Sequence, residues 1–185
     1  MTSNARGLLL LTFLAASTAG CMLGVPVDEP PPPAAARPLP ASSAAAAAAS
    51  EAAIARDVIV AGNAARARGD VAELASSPGA NRAAMEYAQE LANRHEIDHT
   101  SRVAGREDVG SRLQAAGVKW IRVGENLAMF SPRIGIAESS ITGWLNSPGH
   151  RHNLLNPLYR LTGAGVARDE RGYYYVVQIY ATIAE

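Results

Sequence analysis

Low complexity limits how much of this chain can fold. Seven of its eleven prolines fall between Pro26 and Pro40, and an alanine/serine run follows from Ala41 to Ser50. Neither half supplies large apolar side chains at a helical or strand period, so residues 21–50 read as a Pro/Ala-rich disordered tether. The proline half should be extended, at about 3.1 Å per residue where it is polyproline II. The alanine half can carry the first helix backwards. Residues 51–185 remain as the folded part, about 135 residues, enough for one hydrophobic core.

Residues 1–20 read as a signal peptide of lipoprotein type. Arg6 is the only charge there, and the apolar run from Leu8 to Ala16 is shorter than the roughly 20 residues that span a bilayer. Ser17-Thr18-Ala19-Gly20-Cys21 looks like a bacterial lipobox with Thr18 where Leu is usual, which makes Cys21 the candidate lipidation site. Lipidation would attach the protein to a membrane. Met22, rather than Asp, after the cysteine directs it to the outer membrane of a Gram-negative envelope. Without lipidation the protein is periplasmic or secreted.

A single cysteine excludes an intramolecular disulfide framework and a Cys-rich zinc site. Basic and acidic residues balance at 17 each, and no block of like charge exceeds two residues. That pattern argues against a nucleic-acid partner and against a polybasic membrane segment.

Apolar spacing predicts a helix over Ala52–Arg68 stopped by Gly69-Asp70, and a second from Asn81, as N-cap, to about His95. Glu107–Ala116 and Ile134–Leu145 read as two more helices. Trp120–Val123, Leu161–Ala167 and Tyr173–Ala181 read as strands, the last two joined by the polar Arg168–Gly172 connection of a hairpin. Helices first and a hairpin last give an α+β domain with an antiparallel sheet.

All four histidines fall in two pairs, His95/His99 and His150/His152. The stretch His95-Glu96-Ile97-Asp98-His99 matches H-E-x-x-H, which on a helix would place two imidazoles on one face for zinc, with Glu96 activating water. Asp98, Thr100 and Ser101 favour a helix exit there instead, and a helix ending near Ile97 separates the two rings. Glu125 sits in Gly124-Glu125-Asn126-Leu127-Ala128 after a strand-like run. Pro148-Gly149 reads as a turn immediately before His150. His95 and His152 read as solvated neighbours, and Arg151 as pairing with a local carboxylate or carbonyl.

Taken in order, these segments resemble the CAP superfamily (cysteine-rich secretory proteins, antigen 5 and pathogenesis-related 1 proteins), in its bacterial SCP-like extracellular branch. The resemblance runs from about Ala52 to Ala181. It rests on Asn63-x-x-Arg66, Ala88-x-x-Leu91-Ala92, Asp98-His99-Thr100, Arg112-x-x-x-Ala116-Gly117, Gly124-Glu125-Asn126-Leu127-Ala128 and Gly163-x-Gly165-Val166. Its strongest piece is Gly143-Trp144-Leu145-Asn146-Ser147-Pro148-Gly149-His150-Arg151-x-Asn153-Leu154-Leu155-Asn156.

The resemblance implies a three-layer α-β-α sandwich, an antiparallel sheet flanked by helices. It also implies a cleft in which His99, His150 and Glu125 come together and take Zn2+ or another divalent cation, with Asn126 and Ser147 supporting the cleft. Ser147 stands where many animal and plant members carry a second Glu, so their full acidic set is incomplete here. Two imidazoles and a carboxylate make a three-ligand zinc site with an open position, or a general base with an orienting partner.

The resulting reading is an exported, lipid-anchored CAP domain binding a small-molecule, lipid or peptide ligand. No catalytic residue is assigned. The alternatives are a metal-dependent hydrolase acting on peptide or envelope material, and a non-catalytic envelope scaffold with a vestigial cleft. Fold resemblance alone does not choose among them.

Overall fold

Alanine-rich sequence starts the first helix early. In the computed structural model, which describes residues 41–131 and 135–183, α1 runs from Ala41 to Arg68. Ala41–Ser50, assigned from sequence to the tether, thus continues the helix, as the high intrinsic helix propensity of alanine allows. Residues 1–40, with the signal-peptide and lipidation readings, lie outside the described residues. Ala44–Ser50 are exposed, whereas Ala55, Val58 and Ala65 are buried. The helix stops where Gly69 closes on the Ala65 and Arg66 carbonyls and Asp70 turns left-handed, at φ 55°.

The Asn63-x-x-Arg66 pair ties α1 to the chain beyond it. Asn63 exchanges two hydrogen bonds with the Leu74 backbone, at 3.0 and 2.9 Å. The fully buried Arg66 donates through Nε to the Ala72 carbonyl and through Nη1 to those of Leu154 and Asn156. The latter two are carbonyls at and just past a helix end, which have no partner of their own.

The remaining elements are β1 (Ala75–Ser76), α2 (Pro78–Arg94), α3 (Val109–Ala115), β2 (Arg122–Phe130), α4 (Ile136–Asn146), α5 (Pro148–Leu154), β3 (Leu161–Arg168) and β4 (Tyr174–Thr182). Ser77, not Asn81, caps α2, with Pro78 at the first helical position, where its missing N–H costs nothing. Asn81 instead accepts from Ala164 N at 3.1 Å and donates to Ser76 Oγ, pinning α2 to the sheet edge. Asp108 and Ser111 form a capping box that starts α3 later than Glu107. Gly135 precedes α4; Ile134, read as its start, lies outside the described residues.

The sheet has strand order β1-β3-β4-β2. Its three long strands are antiparallel, and only the two-residue β1 pairs parallel, with Leu161 and Thr162. A segment that short carries no alternation and went unread in the sequence. Against one face pack α2 and α3, with Tyr87, Leu91 and Leu113 on Val177 and Ile179. Against the other pack α1, α4 and α5, with Val58, Ile141, Trp144 and Leu154 on Val166, Val176 and Tyr180. This is the α-β-α sandwich. Because β4 is buried on both faces, its sequence reads as a near-continuous apolar run. Both cores and the described sheet lie within the compact unit Leu39–Glu185. Among the described residues, no helix is long and apolar enough to cross a membrane.

The α2 layer sits on β3 with no room between. A Cβ on Gly163 would overlap the backbone of Ala80 and Asn81, and one on Gly165 that of Ala84 and Met85. No side chain can rotate to relieve either. By contrast, Gly143 in the exposed part of α4 has open space around it. Gly163→Ala is therefore expected to destabilise the protein by about 3 kcal/mol. Gly143→Ala should stabilise it by about 0.5–1 kcal/mol. Urea unfolding of both variants checks this, and equal effects would contradict the close packing of α2 on β3.

Candidate functional site

Glu125 stands in the middle of β2 and points to the α2/α3 side, almost out of solvent, with its side chain 3% exposed. A carboxylate there must be paired and hydrogen-bonded to remain charged. Arg112 of α3 supplies Nη2 at 2.6 Å from Oε2, and His99 supplies Nδ1 at 2.9 Å from Oε1. The Arg112 guanidinium lies 3.6 Å over the Tyr87 ring and also donates to the carbonyls of Glu107, His99 and Arg106 at 3.2–3.4 Å. Tyr87 donates its hydroxyl to the Asp98 carbonyl. Burial raises the Tyr87 pKa above its ordinary value, which keeps that proton available. The loop carrying His99 is thus tied at residues 98, 99, 106 and 107 to one stacked Arg–Tyr pair.

The opposite side of β2 is built from Asn126 and the α4–α5 segment. Buried Asn126 donates to the His150 carbonyl at 3.0 Å and to Tyr180 Oη at 3.1 Å, and accepts from Asn153 Nδ2 at 3.1 Å. Three carbonyls along this edge strand each receive a side-chain donor: Val123 from Tyr159, Glu125 from Asn153 and Leu127 from Trp144, at 2.9–3.1 Å. Those donors blunt an edge that would otherwise be open to strand pairing. Gly124 is required there, since a Cβ would strike the Tyr159 hydroxyl and fall 3.0 Å from Asn153 Oδ1. Pro148-Gly149 is not a turn before His150 but the first turn of α5. Ser147, at its N-cap, sets its hydroxyl 3.0 Å from His150 Nδ1 rather than on a backbone amide.

His99 and His150 therefore line one cavity of about 210 Å3, with Ile97, Asp98 and Leu127. The hydrogen bond to Glu125 is the largest influence on His99 and, with the carboxylate's charge, outweighs burial to raise its pKa above 6.5. Burial, then the neighbouring His99, lowers that of His150. His95 does not join them. It ends α2 in a left-handed conformation, φ 54°, and places Nδ1 3.0 Å from Asp169. It is exposed and also paired with that carboxylate, and the H-E-x-x-H stretch does not lie on one helix. Burial pushes the Asp169 carboxyl up, but hydrogen bonds from Arg171, the Tyr173 amide and His95 hold it at about 2. His152 is exposed, and Arg151 donates to the Leu145 carbonyl at 3.4 Å.

The donor set limits how a cation could sit. Both Glu125 oxygens are engaged, and no group of three or more His, Cys, Asp and Glu side chains among the described residues is placed to hold a metal ion. The imidazoles of His99 and His150 each use Nδ1 locally, so Nε2 is the ring nitrogen that a ligand could meet. Glu125 orients the His99 ring through that Nδ1 contact. Sequence reading assigned no role to Arg112, Tyr87 and Asn153. The signal for Arg112 was a carboxylate in a strand whose burial demands a cation.

The cysteine-rich secretory protein (CAP) family model matches residues 61–180. This chain is a CAP-domain protein. It is 27% identical over 114 residues to the uncharacterized protein YkwD of Bacillus subtilis, covering 62% of this chain and 42% of that protein. With the uncharacterized membrane protein YlbC of the same organism it shares 30% identity over 112 residues, 60% of this chain and 30% of YlbC. The chain thus spans under half the length of these curated relatives. Among solved structures, an extracellular SCP-domain protein of Bacillus anthracis matches with TM-score 0.64 and 25% identity, over 79% of this chain and 45% of that one. An outer surface protein of Borrelia burgdorferi shares the fold, with TM-score 0.61 and 20% identity over 71% and 93% of the two chains. The recognisable CAP homologues thus include extracellular proteins.

The pKa values of the two cleft histidines are shifted in opposite directions. His99 stabilises the fold most when protonated, so its contribution is complete below 6.5 and is lost as pH rises through its raised folded value. For His150 the contribution is complete above 6.5 and is lost as pH falls through its depressed value. NMR titration of the ring protons is expected to place the His99 midpoint above 6.5 and that of His150 below it. Glu125→Gln should lower the His99 midpoint. The reverse order in the wild type would contradict the Glu125–His99 pairing.

Proposed function

We propose that this CAP domain is an exported binding module that captures a small or peptidic ligand in the cleft walled by His99 and His150. The observation that carries the reading is the shared cavity, with two imidazoles of opposite protonation preference beside the apolar Leu127 and the half-exposed Ile97. At about 210 Å3 it is smaller than the roughly 300–1,000 Å3 of a drug-sized pocket. It suits one side chain or headgroup of a ligand whose remainder lies on the surface.

A divalent cation such as Zn2+ belongs to the same reading, held by the two imidazoles with Glu125 as the orienting carboxylate. When bound, it would supply a Lewis-acidic contact for a carbonyl or carboxylate of the ligand. Among the described residues no carboxylate orients His150, so the Ser147–His150 contact lacks the third group of an activated nucleophile.

Zinc titration calorimetry on residues 39–185 is the primary test. Binding should disappear in His99→Ala and in His150→Ala and persist in His95→Ala. A wild type that takes no zinc would remove the cation from the reading. Ligand capture would then stand or fall on whether short peptides or lipids shift the His99 and His150 ring signals.

Cys21 completes the reading as a lipid anchor that places the domain on the outer membrane of a bacterial envelope. The similarity to an extracellular SCP-domain protein supports export. Palmitate labelling of the full chain in a bacterial host should be lost in Cys21→Ser, and labelling that survives the change sinks the anchor.

A further inference from the structure

The cations of this chain are scattered along the sequence, yet the fold gathers three of them around exposed apolar side chains. At the end of the sheet where β3 and β2 begin and β4 finishes, Trp120, Ile121, Leu158 and Ile183 are 38%, 65%, 49% and 47% exposed. Their segments are joined directly. Ile121 N donates to the Thr182 carbonyl at 2.8 Å, Thr182 Oγ1 to the Leu158 carbonyl, and Arg160 N to the Ala181 carbonyl at 2.9 Å. Arg122 pairs with Thr182 in the strand register. Trp120 is fixed as a platform, its Nε1 donating to the Gly110 carbonyl at 2.8 Å while its ring closes over Gly110.

Around these residues stand Lys119, Arg122 and Arg160, all exposed. Among the described residues these three form no ion pair, which they share with Arg56, Arg68, Arg82, Arg151 and Arg168 and not with Arg94, Arg102, Arg106, Arg112 and Arg171; what sets them apart is their place around exposed apolar side chains. Arg160 donates only to the Pro157 and Tyr159 carbonyls, which hold its guanidinium in place and leave its charge uncompensated. The segments 117–124, 157–163 and 180–183 contain no acidic residue. Two acidic side chains adjoin this end: Asp108, whose carboxylate caps α3 beside Gly110, and Glu73, just before β1.

We propose that this end of the domain is a peripheral docking surface for an anionic phospholipid bilayer, formed by Trp120, Ile121, Leu158 and Ile183 within the ring of Lys119, Arg122 and Arg160. The chemistry is that of the membrane interface. An indole and aliphatic side chains enter the boundary between headgroups and acyl chains, and Lys and Arg meet the phosphates. A second copy of this chain fits poorly, because a two-fold contact would press the same three cations together. A soluble polyanion would satisfy the cations and leave the apolar centre in water. The surface uses none of the residues that line the His99/His150 cleft, so it goes beyond the readings above.

The test uses residues 39–185, which removes any lipid anchor. The chain has two tryptophans, and Trp144 is 2% exposed, so a change in emission reports Trp120. Vesicles of phosphatidylcholine with phosphatidylglycerol are expected to shift the emission to the blue and to carry the protein down on centrifugation. Phosphatidylcholine vesicles alone should do so weakly, and high salt should release it. Each of Lys119→Gln, Arg122→Gln and Arg160→Gln should weaken partition about fivefold. Ile121→Ser combined with Leu158→Ser should abolish the blue shift while leaving the circular dichroism unchanged. Equal binding to neutral vesicles, no vesicle binding, or binding untouched by these variants overturns the proposal. So does binding to polyphosphate without vesicles, or a concentration-dependent blue shift of the protein alone, which would mark a second copy as the occupant.

Discussion

A charged pair removed from water, Arg112 with Glu125, is the constraint around which the cleft is built. Each side chain is under 5% exposed and their atoms meet at 2.6 Å. Removing either partner of such a pair costs about 3–5 kcal/mol, because the other is left buried and alone. The pair also positions what is outside it. Arg112 holds the backbone of the His99 loop through three carbonyls, and Glu125 holds the ring of His99 itself. A buried interaction thereby sets the direction of an exposed imidazole, which sits on a loop and has little else to fix it.

The other side of the cleft answers a different physical demand, the open edge of β2. The long motif from Gly143 to Asn156 supplies two of the three donors that close the edge, from Trp144 and Asn153, and Tyr159 just beyond it supplies the third. His150 reaches the cleft because α5 lies along that edge, held through its own carbonyl by Asn126. Much of what makes this motif recognisable is thus backbone satisfaction, and the histidine is carried by it. With a single cysteine in the chain, stability comes from the two cores, the buried ion pair and side-chain donors to backbone groups such as those of Asn63 and Arg66.

The helices over Ala52–Arg68, Asn81–His95 and Ile134–Leu145, and the last hairpin, were legible because each carries several turns or alternations of one period. Their ends were less so. Asn81 has the chemistry of an N-cap, but Ser77 followed by Pro78 has it too, and packing against β3 decided between them. Pro148-Gly149 reads as a turn in the sequence because both residues commonly break helices. At the first helical position Pro costs nothing, and only the helix beyond it shows this. The H-E-x-x-H stretch shows the same limit, since its spacing means a shared face only if the helix continues, and it stops at His95.

By itself the sequence determined the helical and strand periods, the division into a low-complexity segment and a folded domain, and the ordered motifs that identify the family. It also singled out His99, Glu125 and His150, through the family resemblance that those ordered motifs carry. Tertiary structure alone decided what each of these groups faces. Glu125 became a holder of His99 because Arg112, thirteen residues away, fills its other oxygen. His95 went to Asp169, far along the chain. Lys119, Arg122 and Arg160, each unremarkable in its own segment, share one surface because three strand ends meet there. Periodicity is a local property that a chain carries in its order, whereas charge pairing and surface composition depend on distances that only the closed sheet and its two layers set.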